Sequence, residues 1–128
     1  MAKIIECVPN ISEGRNHEVI EACVDTVRNT AGVTLLDYSS DASHNRSVIT
    51  FMGSPEGVMN AATALAKKAA ELIDLNHHQG EHPRMGAVDV IPLIPMKDVT
   101  KEETVEYSKQ LAERIWNEAG IPIFLSLI

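Results

Sequence analysis

A helical pattern separates the first apolar run of this chain from the second, none separates the second from the third, and another separates the third from the fourth. That spacing restricts the fold more than any single residue does. The runs are Lys3 to Val8, Val33 to Tyr38, Ser47 to Met52 and Ala87 to Pro95, each short and strand-like. The first ends at Pro9 and Asn10, and Ser12 to Arg15 then reads as a polar loop. Asn16 has the chemistry of an N-cap, Ile20, Cys23, Val24 and Val27 recur at helical spacing, and Gly32 closes the element. The polar stretch Ser39 to His44 reads as the loop of a hairpin between the second and third strands. Ser54, Pro55 and Glu56 are a helix start: a cap, a first-turn proline and an acid at the positive end of the dipole. That helix is expected to run to about Leu75 on a face of Val58, Ala61, Ala62, Leu65, Ala69, Leu72 and Ile73.

Pro92 argues that one end of the fourth strand lies at an edge or bulge. Thr100 and Glu103 form a capping box that opens a last helix on Val105, Ser108, Leu111, Ile115 and Ala119, stopped by Gly120 and Pro122. Ile121 to Ile128 reads as a final strand. The order β-α-β-β-α-β, followed by an extra α-β, is that of an α+β, ferredoxin-like sandwich with a predominantly antiparallel sheet and an added C-terminal unit. With 128 residues, 45% of them hydrophobic, the chain can build one core and one domain.

A net charge of −7 and a pI near 5.1 oppose binding to phosphate backbones and anionic lipid, so neither nucleic acid nor membrane is expected as a partner. No basic-then-apolar leader opens the sequence, and no stretch nears the roughly 20 apolar residues of a membrane span. A cytoplasmic protein is the expectation. Cys7 and Cys23 lie in apolar patterns without C-x-x-C spacing and read as reduced packing residues. The final strand stops on Phe124 to Ile128 with no polar tail. It is buried centrally, meets another chain, or belongs to a longer protein, and self-association is expected.

Three polar clusters flank the strands: Asn10 to Arg15, Asp41 to Arg46, and Gly80 to Arg84. Each sets Arg or His beside amides or carboxylates, as a site for a small, multiply charged, nitrogen-rich substrate requires. His82 is the sharpest residue. Pro83 biases it toward an extended conformation, Gly80 lets the backbone turn before it, and imidazole takes and returns protons near neutral pH. Its spacing alone favours a surface loop histidine. His77, His78 and His82 are close enough in sequence to suggest a metal, but Gly80 and Pro83 break the helix that an i, i+4 ligand pair needs, and no metal is expected. Arg46 and Arg84 suit bidentate binding of carboxylates, although either Arg taken alone fits a surface ion pair better. Asp37 and Asp89 sit in strand patterns where a charge must be paired or solvated.

Together, "ECVPNISEGRN" (6 to 16), "HNRSVITFMGSPE" (44 to 56) and "HHQGEHPRMGAVDVIPLIP" (77 to 95) resemble the N-terminal subdomain of glutamate formimidoyltransferase, the formiminotransferase half of formimidoyltransferase-cyclodeaminase. The resemblance covers nearly the whole chain. It implies transfer of a formimino group from N-formimino-L-glutamate to N5 of tetrahydrofolate in histidine degradation, with His82 as catalytic acid and base. Tetrahydrofolate is then a co-substrate, and no metal is implied. From residue chemistry, Arg46 and Arg84 are candidates for the substrate carboxylates, with Asn10, Ser12, Glu13 and Asn45 lining the pocket. Full transferases of this kind hold their substrates between two subdomains. Residues 1–128 read as the first alone, with the second absent. Activity is therefore expected to need a second subdomain or partner chain, homo-oligomers included. The alternative is a non-catalytic ligand-binding or assembly module.

Overall fold

The computed structural model describes residues 3–73, 88 and 91–121. Their order is β1 (Ile4–Cys7), β2 (Asn10–Ile11), α1 (His17–Arg28), β3 (Val33–Asp41), β4 (Arg46–Gly53), α2 (Pro55–Leu72), β5 (Leu93–Lys97) and α3 (Lys101–Ala119). The architecture is α+β, a five-stranded antiparallel sheet with three helices. Val48 pairs with both Asn10 and Ser39, and Phe51 with both Cys7 and Leu35, so β4 carries β1 and β2 along one edge and β3 along the other. β5 pairs with the free edge of β1.

Strand alternation sorts the side chains into two faces. Ile5, Cys7, Ile11, Ile49 and Phe51 are fully buried, whereas Ile4, Glu6, Val48 and Thr50 between them are only half-buried. The buried set meets Ile20, Cys23, Val24 and Val27 of α1, Val58, Ala61, Leu65 and Ala69 of α2, and Leu111 and Ile115 of α3. Caps fix the helix starts. Asn16 accepts from the Glu18 and Val19 amides, Ser54 from the Gly57 amide, and Thr100 and Glu103 close the expected capping box.

The structure departs from the sequence reading in six places. Pro9 does not end the strand system: it has no N–H to donate, yet its carbonyl accepts from the Ile49 amide at 3.1 Å, and β2 resumes on the same edge of β4. Ser39 to Asp41 are strand rather than loop, because pairing with Val48, Ser47 and Arg46 outweighs their poor strand propensity. A register shift between Leu35 and Asp37 inserts Leu36 as an extra residue. It turns Asp37 outward to solvent and Tyr38 inward, where Tyr38 hydroxyl donates to Glu21 of α1 and Arg28 lies 5.5 Å over its ring. α2 ends at Leu72, since Ile73 is extended (ψ 110°), and Leu72 is 36% exposed. In α3 the buried residues are Thr104, Leu111 and Ile115, with Val105, Ser108 and Ala119 at the margin. The Thr104 hydroxyl is satisfied by the Thr100 carbonyl at 2.9 Å.

Within the described residues the fourth strand runs Leu93–Lys97, two positions past the expected end at Pro95, while Ile91 and Pro92 are not strand and Val88 is joined to Ile11 by an isolated bridge. Ala87, Asp89, Leu75 and the final strand beyond Ile121 lie outside the described residues, and Ile121 itself is fully buried. Among the described residues no helix is long and apolar enough to cross a membrane.

Both cysteines are free and buried. Burial pushes the Cys23 thiol up to about 12 and that of Cys7 well above its ordinary value, so neither forms the nucleophilic thiolate near neutral pH. Alkylation by iodoacetamide at pH 8 is expected only on unfolding; mass spectrometry showing rapid labelling of the native chain would contradict this. Gly53 has no room for a side chain, because a Cβ would lie 2.1 Å from the Gly32 carbonyl oxygen. Gly53→Ala is expected to lower stability by about 2 kcal/mol in urea unfolding.

Candidate functional site

Pairing of β2 with the start of β4 carries the loop 12–16 to the same end of the sheet as the β3–β4 turn. Gly14 makes the closest approach. Its Cβ, if present, would lie 2.4 Å from the Asp41 carbonyl oxygen and 2.5 Å from the Arg46 nitrogen. Its N–H donates to the Asn45 side-chain oxygen at 2.9 Å. Ser47 hydroxyl donates to the Glu13 carbonyl, and Arg15 Nε donates to the Ala42 carbonyl at 2.8 Å. Two polar segments distant in sequence are thereby tied together by backbone and side-chain hydrogen bonds.

The turn is also built from within. Asn45 adopts φ 51°, a left-handed conformation that asparagine tolerates well, and its N–H reaches the Ala42 carbonyl at 3.3 Å. One Asp41 oxygen accepts from the Ser43 amide at 2.9 Å and the His44 amide at 3.3 Å. The other lies 2.6 Å from His44 Nδ1. The side-chain bond from His44, followed by its backbone bond, holds the Asp41 carboxyl below the usual carboxylate range. On the other segment, Glu13 Oε2 accepts from the Arg15 amide at 3.1 Å and the Asn16 amide at 3.0 Å.

Beside this junction lies an open pocket of about 270 Å³, lined by Asn10, Ser39, Ser40, Asp41, His44, Arg46 and Val48. Of the residues singled out in the sequence, Asn10 and Arg46 line it. Glu13 and Asn45 brace the loops behind it, and Ser12 lies in the same loop without being among its lining residues. His82 and Arg84, like His77 and His78, lie outside the described residues. Asp41 and His44 lie in the polar cluster marked in the sequence without being named as site residues, and Ser39 and Ser40 read there only as loop. Their signal was the polar run itself, which continues as strand rather than loop and so presents alternate side chains on one face. Guanidinium, imidazole, hydroxyls and a carboxamide over the Val48 side chain suit a small, polar, carboxylate-bearing ligand. Among the described residues no three His, Cys, Asp or Glu side chains are grouped to hold a metal ion.

Gly14→Ala is expected to force the two segments apart, lowering stability by about 1–3 kcal/mol in urea unfolding and exposing the Gly14 and Asn45 amides to exchange. The lowered Asp41 value has a definite sign. Its stabilisation is present above the unfolded-state carboxylate value and is lost as pH falls through the lower folded-state value. Hydrogen exchange at the Ser43 and His44 amides is therefore expected to lose protection on acidification below about pH 4 in the wild type. Asp41→Asn is expected to show no such acid step.

The chain matches the profile of the formiminotransferase domain, N-terminal subdomain, over residues 4–127. It is 61% identical over 125 residues to the glutamate formimidoyltransferase of Streptococcus pyogenes serotype M1, covering 98% of this chain and 42% of that protein. It is 51% identical over 125 residues to the formimidoyltransferase-cyclodeaminase of Dictyostelium discoideum, with 98% of this chain and 23% of that protein covered. With the glutamate formimidoyltransferase of Thermoplasma acidophilum it shares 44% identity over 122 residues, 95% of this chain and 40% of that one. The chain thus spans less than half the length of these relatives. Match and motifs coincide on the segments that form the pocket and its bracing loops, and the chain belongs to the formiminotransferase family, in its N-terminal subdomain.

Proposed function

We propose that this chain is one subdomain of a formiminotransferase, supplying part of a site that moves the formimino group of N-formimino-L-glutamate to N5 of tetrahydrofolate. The pocket that gathers Asn10 and Arg46 between the two family segments carries this reading. The relatives' names favour transfer over a non-catalytic binding module. The strand order β5-β1-β4-β3, with every pairing antiparallel, supports classing the unit as ferredoxin-like, with α3 opening the added C-terminal αβ. The remaining length of the relatives is read as a second subdomain, and a second subdomain or a partner chain completes the folate cleft.

In the reaction, N5 attacks the formimino carbon and forms a new C–N bond, and the bond from that carbon to the glutamate nitrogen breaks. N5 loses a proton and the departing nitrogen gains one, so a single imidazole serves as base and then as acid. His82 takes that role. Arg46 and Arg84 hold the substrate carboxylates, and Asn10, Ser12, Glu13 and Asn45 shape or brace the pocket.

The test pairs His82→Gln with wild type, each assayed with and without the second subdomain of a full-length relative. Complemented wild type is expected to turn over formiminoglutamate, and His82→Gln to fall by about 10²–10⁴-fold with little change in stability. The chain alone is expected to be weak, because half the cleft cannot hold the reacting atoms in line. Equal complemented rates for mutant and wild type would remove His82 from the mechanism.

A further inference from the structure

We propose that His44, held by Asp41, is a specificity-determining residue of the pocket: it binds a ligand carboxylate as the imidazolium, beside Arg46, so that ligand binding takes up a proton. One carboxylate holds the residue at two points, the backbone and the ring. Asp41 accepts from the His44 backbone N–H with one oxygen and lies 2.6 Å from Nδ1 with the other. The turn that carries it is itself held by Asn45 on Gly14 and by Arg15 on the Ala42 carbonyl. With Nδ1–H bonded to Asp41, a neutral ring presents only a lone pair at Nε2, which repels a carboxylate. The protonated ring presents Nε2–H, a charge-assisted donor.

Charge sharpens the argument. Among the described residues the charged groups around this junction are Asp41 from β3, Arg46 from β4, and Glu13 and Arg15 from the loop before α1. Two are anionic and two cationic, so a proton on His44 adds the positive charge that turns this set of described groups toward an anion. Arg46 stands directly across from Asp41 in the β3–β4 register, which sets guanidinium and imidazole on the same pocket wall. The ligand class is a small dicarboxylate or an acidic amino-acid derivative. The inference rests on the proposed transfer reaction only for the ligand's identity.

Calorimetric titration of the chain with glutarate, in two buffers of different ionisation enthalpy at about pH 6 and pH 8, tests it. Binding at the higher pH, where a free imidazole is neutral, is expected to take up more protons than at the lower pH, and affinity to weaken by about tenfold from the lower pH to the higher. His44→Gln and Asp41→Asn are expected to abolish the uptake and flatten the pH dependence, with folding checked by circular dichroism. Glutarate that fails to bind at millimolar concentration, or uptake unchanged in His44→Gln, would overturn the proposal. Formimino transfer is assayed separately, on the chain complemented with the second subdomain of a full-length relative. Its absence with His44-dependent uptake intact refutes the transfer reading alone, and its presence without that uptake refutes this inference alone.

Discussion

Backbone hydrogen bonding along both edges of β4 is the constraint on which the rest of this molecule depends. One edge fixes β3 through eight paired positions from Val33 to Asp41, and the other receives β1 and then β2 after the break at Pro9. Because both edges are occupied, the alternation of β4 is imposed on its neighbours. Ser47, Ile49 and Phe51 point into the helix layer, and Arg46 and Val48 point away from it into the pocket. The pocket and the core are thus two sides of one register.

The site is correspondingly stiff where it touches the scaffold. The loop before α1 and the turn after β3 share no sequence proximity, yet Gly14 fills the space between them so closely that a methyl group does not fit. Glu13 and Asn45 direct oxygens at backbone amides in this junction rather than into the pocket. They act as positioning residues, holding Asn10 and Arg46 where a ligand can meet both. Such bracing holds a pocket in shape before any ligand arrives.

Most of the architecture was readable from the sequence because it rests on local signals. The caps at Asn16, Ser54 and Thr100, the proline at Pro55 and the helical spacing of α1 and α2 are encoded within a few residues of where they act. What escaped the sequence rests on partners far along the chain. Ser39 to Asp41 carry loop chemistry and become strand only because Arg46 to Val48 lie opposite, and β2 exists only because β4 continues past Pro9. The same holds for the site. Asn10 and Arg46 were legible as polar residues at strand ends, whereas Ser39, Ser40 and His44 become pocket residues only through the extension of β3.

The extra residue at Leu36 gives the hairpin a parity. Upstream of it Val33 and Leu35 face the helices and downstream Tyr38 does, which is how Tyr38 reaches Glu21 while Ser39 and Asp41 stay on the pocket side. Removing Leu36 would leave Asp37 opposite Thr50 and Tyr38 opposite Ile49 in an unbroken ladder, both on their present faces. Drawing Leu36 into the ladder opposite Thr50 would instead set Asp37 opposite Ile49, toward the helices, and send the tyrosine into solvent. Core and pocket therefore keep their own sides only while this one residue stays outside the ladder or is lost.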